Sequence, residues 1–292
     1  MRIFVTGGTG IVGSAAVPIL RARGHDVLVL TRRASGKQRA GYCQGDLSDT
    51  EALAELLGRF SPDAALHLGW EGLPDYSLTQ TLRNLNYSIN FFTAAAAAGC
   101  KTIMSTGSCW EYAARTGQLS EDSPLSGGEP FHAAKNALRF IGEAVATTHG
   151  ARFFWMRLFF VYGPRQRQQS LVPRLIESIQ HGEPPELRAP HNRHDFIYVQ
   201  DAARALADVL EQRPPETVYN VGSGHPTAVA DIVATVYRLV DASPAGSLTG
   251  SGPPRQDFWA DITRLKRDTG WQPMYDLEAG LRTTLSEDKI ND

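Results

Sequence analysis

Hydrophobic and polar positions follow two alternating patterns along the first two-thirds of the chain. Short apolar runs rich in β-branched residues predict strands, and longer stretches with one apolar face predict helices. The predicted strands cover residues 3–5, 27–30, 64–68, 102–104 and 153–156, and two clear helices cover residues 50–59 and 133–149. Strands without a polar face, separated by helices, are typical of a parallel sheet covered on both sides. The pattern therefore predicts an α/β fold with a doubly wound parallel sheet.

Proline and glycine become more frequent after Pro164, and the alternation of strands and helices is interrupted there. Residues 196–210 and 218–221 still fit the earlier pattern. We therefore predict a cofactor-binding domain and a smaller C-terminal substrate-binding domain, with a ligand in the cleft between them. The first comprises residues 1–164, with residues 195–223 returning to it, and the second comprises residues 165–194 and 224–292.

Composition and charge exclude several classes of protein. The 292 residues carry a formal net charge of -2, which offers no basic face for nucleic acid or for a membrane surface. The chain begins directly with a strand-like segment, so we expect no signal peptide and a cytoplasmic location. Cys43, Cys100 and Cys109 are widely spaced and fit no metal-ligand pattern, which predicts reduced thiols and no metal site.

Three glycines follow the first predicted strand and open the first predicted helix. Gly7, Gly10 and Gly13 have the spacing of a dinucleotide-binding turn of the Rossmann type. Such glycines allow a tight turn, close approach of the backbone to a pyrophosphate, and close packing of helix on strand. The helix N-terminus, which includes Ile11 and Val12, offers free N–H groups to the phosphates. The segment predicts a nicotinamide-dinucleotide site.

The end of the second predicted strand bears on the choice of cofactor. An NAD site usually has a carboxylate there for the ribose 2′-hydroxyl, whereas this chain has Arg32 and Arg33. Guanidinium groups suit a 2′-phosphate, which favours NADP(H) over NAD. The alternative is a solvated loop with two surface arginines. Asp46 and Leu47, after the next short strand, are placed to reach the adenine.

Longer motifs extend this pattern over almost the whole chain. They lie at residues 67–70 (HLGW), Asn86, 105–108 (STGS), 157–164 (RLFFVYGP), 195–201 (DFIYVQD) and 220–224 (NVGSG). With them the chain resembles the extended short-chain dehydrogenases/reductases that act as sugar-nucleotide epimerases, dehydratases and reductases. The resemblance implies cofactor contacts from Leu68, Gly69, Trp70 and Asn86. It also implies a homodimer through the helices at residues 86–98 and 133–149.

The resemblance also implies the catalytic positions. In that family a Ser or Thr and a Tyr-x-x-x-Lys pair act beside the nicotinamide, and the matching positions here are Ser108 and Lys135, with Phe131 in place of the tyrosine. Residues i and i+4 share a helix face, so the lysine could lower the pKa of a phenol at position 131 and hold the cofactor ribose. A phenyl ring cannot transfer a proton. Ser108 could instead be only a helix cap.

Four explanations for Phe131 are open at this point. Another group supplies the proton, with Tyr112, His132, Cys109 and Tyr162 as candidates. The natural reaction needs no phenol. The chain is an engineered Tyr→Phe variant. Or the protein binds its ligand without turnover. Tyr112 could also simply pack against the sheet, and His132 could be an ordinary helix residue.

The substrate side is predicted mainly from the resemblance. Arg255 matches the arginine that grips the pyrophosphate of the nucleotide sugar, a contact that suits a guanidinium. A second family arginine is His194 here, with Arg193 one position earlier. Arg167, in a polar run, is a further candidate, although such loops are usually only solvated.

These inferences predict an NADP(H)-dependent oxidoreductase that acts on a nucleoside-diphosphate sugar, and a 4-keto-sugar reductase in particular. One alternative is an epimerase or dehydratase whose cofactor is oxidised and reduced again within each cycle. A second is a cofactor-binding protein that has lost its chemistry at Phe131. Net consumption of cofactor separates the two enzymatic hypotheses.

Overall fold

The structure is a computed structural model that describes residues 1–32, 40–243 and 256–288. The strands are β1 (Arg2–Thr6), β2 (Asp26–Thr31), β3 (Tyr42–Gln44), β4 (Ala64–His67), β5 (Thr102–Ser108), β6 (Gly117–Leu119), β7 (Arg152–Leu158), β8 (Phe160–Tyr162), β9 (Arg193–His194), β10 (Phe196–Tyr198), β11 (Val218–Val221), β12 (Thr227–Ala228) and β13 (Asp257–Ala260). The helices are α1 (Ile11–Ala22), α2 (Thr50–Phe60), α3 (Leu78–Ala97), α4 (Pro130–Thr148), α5 (Leu171–Gln180), α6 (Val199–Gln212), α7 (Val229–Leu239), α8 (Thr263–Thr269) and α9 (Leu277–Asp288).

Seven parallel strands form the main sheet, in the spatial order β3-β2-β1-β4-β5-β7-β11. From β1 the chain first builds outward through β2 and β3, then returns to β4 on the other side of β1. This reversal opens a crevice at the carboxyl ends of β1 and β4, where doubly wound sheets bind their ligands. All four residues of β4 are buried, as its continuous apolar pattern predicts. The predicted α/β Rossmann fold is confirmed.

Two apolar cores cover the faces of this sheet. One joins β1 and β2 to α1 and α6, and includes Ile3, Val5 and Leu206. The other joins the opposite face to α2, α3 and α4, and includes Phe4 and Phe91. Burial on both faces explains why the central strands lack the alternation of polar and apolar residues.

The remaining strands form two small sheets. β8 pairs with β10, and four strands pair in the order β12-β9-β13-β6. β6 pairs in parallel with β13, so the first 164 residues contribute a strand to the smaller sheet. The domain boundaries given above stay a prediction. Within the described residues, no helix is long and apolar enough to cross a membrane.

Candidate active site

A cleft of about 790 Å³ lies at the carboxyl edge of the main sheet, at the reversal between β1 and β4. It is bordered by the turn after β1, the ends of β2 and β3, the segment after β4, and one face of α3. Its lining includes Thr6, Gly7, Gly10, Arg32, Asp46, Leu47, Leu68, Gly69, Trp70, Glu71, Asn84 and Tyr87. Most predicted cofactor residues therefore lie around one cavity.

The glycine turn after β1 has the geometry that its spacing predicts. Gly7 has a φ of +68°, and a Cβ atom there would meet the backbone of Leu68 and Gly69. A Cβ atom at Gly13 would overlap the backbone of Gly7 and Gly8. Gly10 is the N-cap of α1, and its N–H donates to the carbonyl of Gly7 at 3.0 Å. The turn leaves the first N–H groups of α1 for an anion, including those of Ile11 and Val12.

The end of the cleft predicted to hold the adenosine carries an ion pair. The guanidinium of Arg32 contacts the carboxylate of Glu71, and Arg83 lies 3.9 Å from the same carboxylate. Sequence reasoning found Arg32 and missed Glu71, because Glu71 comes from the segment after β4, 39 residues away. Arg33 lies outside the described residues. Arg32 is therefore already partnered by a carboxylate, which weakens the argument for a 2′-phosphate at this end.

Asp46 and Leu47 both line the cleft. The Asp46 carboxylate accepts from the Ser48 N–H at 2.8 Å and from the Ser48 hydroxyl at 2.6 Å. These hydrogen bonds hold the pKa of Asp46 below its usual value, so the group is ionised at neutral pH. A negative acceptor at this position suits the amino group of an adenine.

The asparagine expected on α3 is displaced by two residues. Asn86 is exposed, whereas Asn84 is buried and lines the cleft. Asn84 accepts from the backbone N–H of Glu71 at 2.8 Å and donates to its carbonyl at 3.0 Å. The helical period gives the reason, because Asn84 shares its face with the buried Thr81 and Ser88, three and four positions away. The helical spacing of Thr81, Asn84 and Ser88 is therefore the sequence feature that distinguishes Asn84 from Asn86.

Lys135 is buried on the predicted face of α4. Its ammonium donates to the carbonyl of Thr106 at 2.9 Å and lies 4.1 Å from the centre of the Trp70 ring. Desolvation lowers the pKa of Lys135 to about 8, although the nearby Glu111 opposes this shift. Phe131 lies one helical turn earlier, with its ring centre 5.9 Å from the ammonium. The structure thus brings Lys135, Phe131 and Trp70 together.

Ser108 ends β5 and begins a short 3-10 turn. Its hydroxyl oxygen accepts from the N–H of Trp110 at 3.3 Å, and its own N–H donates to the Glu111 carboxylate at 2.7 Å. The capping role considered in the sequence is therefore present. The oxygen acts only as an acceptor in this cap, so the hydroxyl proton takes no part in it.

Glu111 is fully buried and organises the strand ends beneath Ser108. Its carboxylate accepts from the indole N–H of Trp155 at 2.9 Å and from Nε of Arg157 at 2.7 Å. Arg157 is equally buried, with a side-chain exposure of 2%. This network joins β5 to β7 and fixes the turn that holds Ser108. No motif in the sequence analysis indicated it.

The predicted proton-transfer role of Tyr112 is not supported by its position. Its side chain is fully buried, donates to Oδ1 of Asn220 at 2.5 Å and accepts from Arg157 at 3.1 Å. Burial raises the pKa of the phenol well above its usual value. Tyr112 therefore belongs to the buried network and packs the sheet, which was its alternative interpretation.

The other three candidate proton donors are not among the residues that line the cleft. Cys109 is buried, and burial raises its pKa. The Tyr162 hydroxyl points to the carbonyl of Leu277, 3.4 Å away, in a separate core. His132 stacks on Trp110, and burial lowers its pKa. His132 also meets the ring of Phe131 edge-on, with ring centres 6.1 Å apart, and its Nδ1 lies 3.4 Å from the guanidinium of Arg115.

His67 is a buried histidine at the end of β4. It bonds to the Thr6 hydroxyl at 2.7 Å and to the Ser88 hydroxyl at 2.8 Å. Desolvation, with the charge of Lys135, lowers the pKa of His67 to about 3. The ring is therefore neutral and links the glycine turn to α3.

The predicted substrate residues are scattered over the smaller sheet and its loops. Arg193 is exposed on β9, and His194 stacks on Phe160 with ring centres 4.7 Å apart. Arg167 is exposed in the loop after β8. Arg255 lies outside the described residues. The described cleft is lined mainly by predicted cofactor residues, and both the cofactor contacts and the substrate contacts stay predictions.

The sheet order, the glycine turn and the buried lysine define a dinucleotide-binding protein of the Rossmann class. The model of the NAD dependent epimerase/dehydratase family matches residues 3–222, and the chain belongs to that family. The predicted membership of this group of sugar-nucleotide enzymes is confirmed.

Individual relatives agree with this assignment. A probable dTDP-glucose 4,6-dehydratase of Sinorhizobium fredii is 28% identical, over 98% of this chain and 92% of that protein. MoeE5, solved with UDP-glucuronic acid and NAD, has a TM-score of 0.87 and 26% identity, and all of both chains is covered. The UDP-glucose 4-epimerase of Thermotoga maritima has a TM-score of 0.88 and 22% identity, over 100% of this chain and 99% of that one, which shows the shared fold.

Proposed function

We propose that this protein is a nucleoside-diphosphate-sugar epimerase or dehydratase that oxidises and reduces its nicotinamide cofactor within each catalytic cycle. The observation that carries this proposal is the joining of the glycine turn, Lys135 and Ser108 along one edge of the sheet. The dehydratase and MoeE5 relatives support a nucleotide-sugar substrate. Net reduction of a 4-keto sugar is the second candidate.

The choice between these candidates depends on the cofactor. The reductase hypothesis rested on NADP(H), which was inferred from Arg32 and Arg33. Arg32 is paired with Glu71, and MoeE5 was solved with NAD. We therefore propose NAD as the cofactor, with Glu71 as the carboxylate at the adenosine end. NADP(H) stays the alternative.

The residues present fit a bound dinucleotide. The turn at Gly7 and Gly10 would hold the pyrophosphate, Asp46 the adenine, and Lys135 the ribose beside the nicotinamide. When bound, the nicotinamide supplies a hydride acceptor for a sugar carbon. Ser108 would donate a hydrogen bond to the reacting sugar oxygen. Trp70 and Phe131 would exclude water there.

We also propose a homodimer through the outer faces of α3 and α4. These helices pack against each other, and they leave Leu78, Leu82 and Phe140 exposed by about half of their surface. Large apolar side chains on adjacent helices favour association. Light scattering of the parent and of Leu82→Glu tests this, with a shift from dimer to monomer expected.

The function is tested by incubating the protein with NAD and a panel of UDP- and dTDP-linked sugars. Product identity is followed by NMR, and total reduced cofactor by absorbance. Conversion to an epimer or a dehydrated keto sugar without net reduction supports the proposal. Stoichiometric loss of NADPH with a 4-keto sugar favours the reductase. Binding of NAD and of a nucleotide sugar without conversion of the sugar favours the hypothesis of a cofactor-binding protein that has lost its chemistry.

A further inference from the structure

A phenol lies against the ring of Phe131, at the position where this chain lacks the tyrosine of the family motif. Tyr76 precedes α3, and its ring meets the Phe131 ring edge-on, with centres 5.2 Å apart and planes at 73°. The Trp70 ring also meets the Phe131 ring edge-on, with ring centres 5.3 Å apart. Lys135 lies over Trp70. We call Trp70, Tyr76, Phe131 and Lys135 the aromatic–lysine cluster.

Tyr76 is accessible, unlike the other phenols considered above. Its exposed fraction is 51%, whereas that of Phe131 is 8% and that of Tyr112 is 0%. The Tyr76 hydroxyl has no hydrogen-bond partner among the described residues. One side of the ring thus contacts the cluster, and its oxygen can meet a ligand.

The loop that carries Tyr76 is held in place at both ends. Asn84 binds both backbone groups of Glu71, and Gln80 donates to the Glu71 carbonyl at 3.1 Å. Nearer Tyr76, the N–H of Asp75 donates to Gly72 at 2.9 Å, and the Asp75 carboxylate accepts from the Ser77 N–H at 2.8 Å. These bonds fix the backbone on either side of the phenol, as positioning of a reacting group requires.

We propose that Tyr76 supplies the phenol that position 131 lacks and exchanges the proton of the reacting sugar hydroxyl. This inference rests on the proposed function. In the oxidative half, the phenolate oxygen of Tyr76 would take up the O–H proton of the sugar, and a bound nicotinamide would accept the hydride released as the sugar C–H bond breaks. The keto sugar and a neutral phenol result. The reductive half returns the proton from Tyr76 to the sugar oxygen, so the cycle is balanced.

Lys135 completes the same arrangement. Its buried ammonium donates to the carbonyl of Thr106 and lies 4.1 Å from the centre of the Trp70 ring, so it places a positive charge in the aromatic–lysine cluster. In the family motif, lysine and phenol share one helix. Here they come from α4 and from the loop after β4, and each lies within 6 Å of the centre of the Phe131 ring, at 5.9 Å for the Lys135 ammonium and 5.2 Å for the centre of the Tyr76 ring.

A cycle of four proteins tests the proposal: the parent, Tyr76→Phe, Phe131→Tyr, and the double variant. Single-turnover formation of reduced cofactor is measured across pH, and calorimetry gives the affinities for NAD and the nucleotide sugar. We expect Tyr76→Phe to slow the redox step by ~10²-fold or more while both affinities stay within about twofold. The double variant should match Phe131→Tyr alone, because the phenol is then restored at position 131.

Tyr275→Phe is the matched control, since it removes a phenol that packs on Tyr198, in a different part of the fold. An unchanged rate in Tyr76→Phe overturns the proposal. The proposal is also overturned if Tyr76→Phe loses only affinity for the nucleotide sugar. The same holds if the redox step is slow in the double variant but fast in Phe131→Tyr. If the parent binds both ligands and forms no reduced cofactor, the proposed function itself fails.

Discussion

The two ends of the cleft are built in different ways. At the pyrophosphate end, the turn from Gly7 to Gly13 makes the site from backbone alone, within one short segment. At the proposed catalytic end, the aromatic–lysine cluster draws on the segment after β4 and on α4, which are far apart in sequence. The first arrangement depends on the absence of side chains, and the second on their identity. A side chain lost at the second end can therefore be replaced by one from another segment that reaches the same place, whereas no side chain can take the place of the bare backbone at the first end.

The largest expected effect lies in the support beneath the catalytic end. Glu111→Ala leaves Arg157 buried without its partner, and we expect a loss of about 3–5 kcal/mol in the free energy of unfolding. Urea denaturation measures this loss. Glu143→Ala is the control, because its pair with Arg139 is half exposed and contributes less than about 1 kcal/mol. Equal losses of unfolding free energy in both variants would show that the buried pair of Glu111 and Arg157 does not stabilise the fold more than an exposed pair does.

A second effect concerns the pH dependence of stability. Burial lowers the pKa of Lys135 to about 8 from 10.5. Between these values the unfolded chain binds more protons than the folded one, so this group raises stability as pH increases from about 8 to 10.5, by up to about 3 kcal/mol. Lys135→Met should remove that slope in urea titrations. A difference between parent and variant that is constant over this range would be evidence against the buried, desolvated ammonium.

At the pyrophosphate end, Gly13→Ala should weaken dinucleotide binding by about 100-fold, because the new methyl group displaces the turn at Gly7. Calorimetry measures the affinity, and circular dichroism checks the fold. Gly58→Ala, where a Cβ atom meets nothing within 4 Å, is the control and should bind normally. If Gly13→Ala binds as the parent does, the turn is not the pyrophosphate site.

The smallest predicted effect sharpens the choice of cofactor. Glu71→Gln removes the carboxylate that pairs with Arg32, which frees the guanidinium for a 2′-phosphate. We expect the ratio of NADP to NAD affinity to rise by about tenfold, equivalent to about 1.4 kcal/mol. Arg32→Ala should abolish that gain in the double variant. An unchanged ratio would show that Glu71 does not set the preference.

The sequence predicted best what depends on neighbouring residues. The strands of the main sheet, the glycine turn, and the shared face of Phe131 and Lys135 all follow from local spacing. The position of Asn84 was within reach of the same reasoning, because the helical period distinguishes it from Asn86.

Contacts between distant segments were not predictable in this way. The pairing of Arg32 with Glu71 and the contact of Tyr76 with Phe131 depend on how the segment after β4 folds over the sheet. Tyr112 was chosen for its motif, but the burial that removes it from the cleft depends on Arg157 and Asn220, from β7 and β11.

The proposed function depends on transient oxidation of a nucleotide sugar by the bound cofactor. The most direct measurement is transfer of label within the substrate: a nucleotide sugar carrying deuterium at C4 is incubated with the protein and unlabelled NAD, and product and cofactor are analysed by mass spectrometry. The account predicts a converted sugar that retains the deuterium, with the total cofactor still oxidised. Deuterium accumulating in free reduced cofactor, or a sugar that binds and is recovered unchanged, would contradict it.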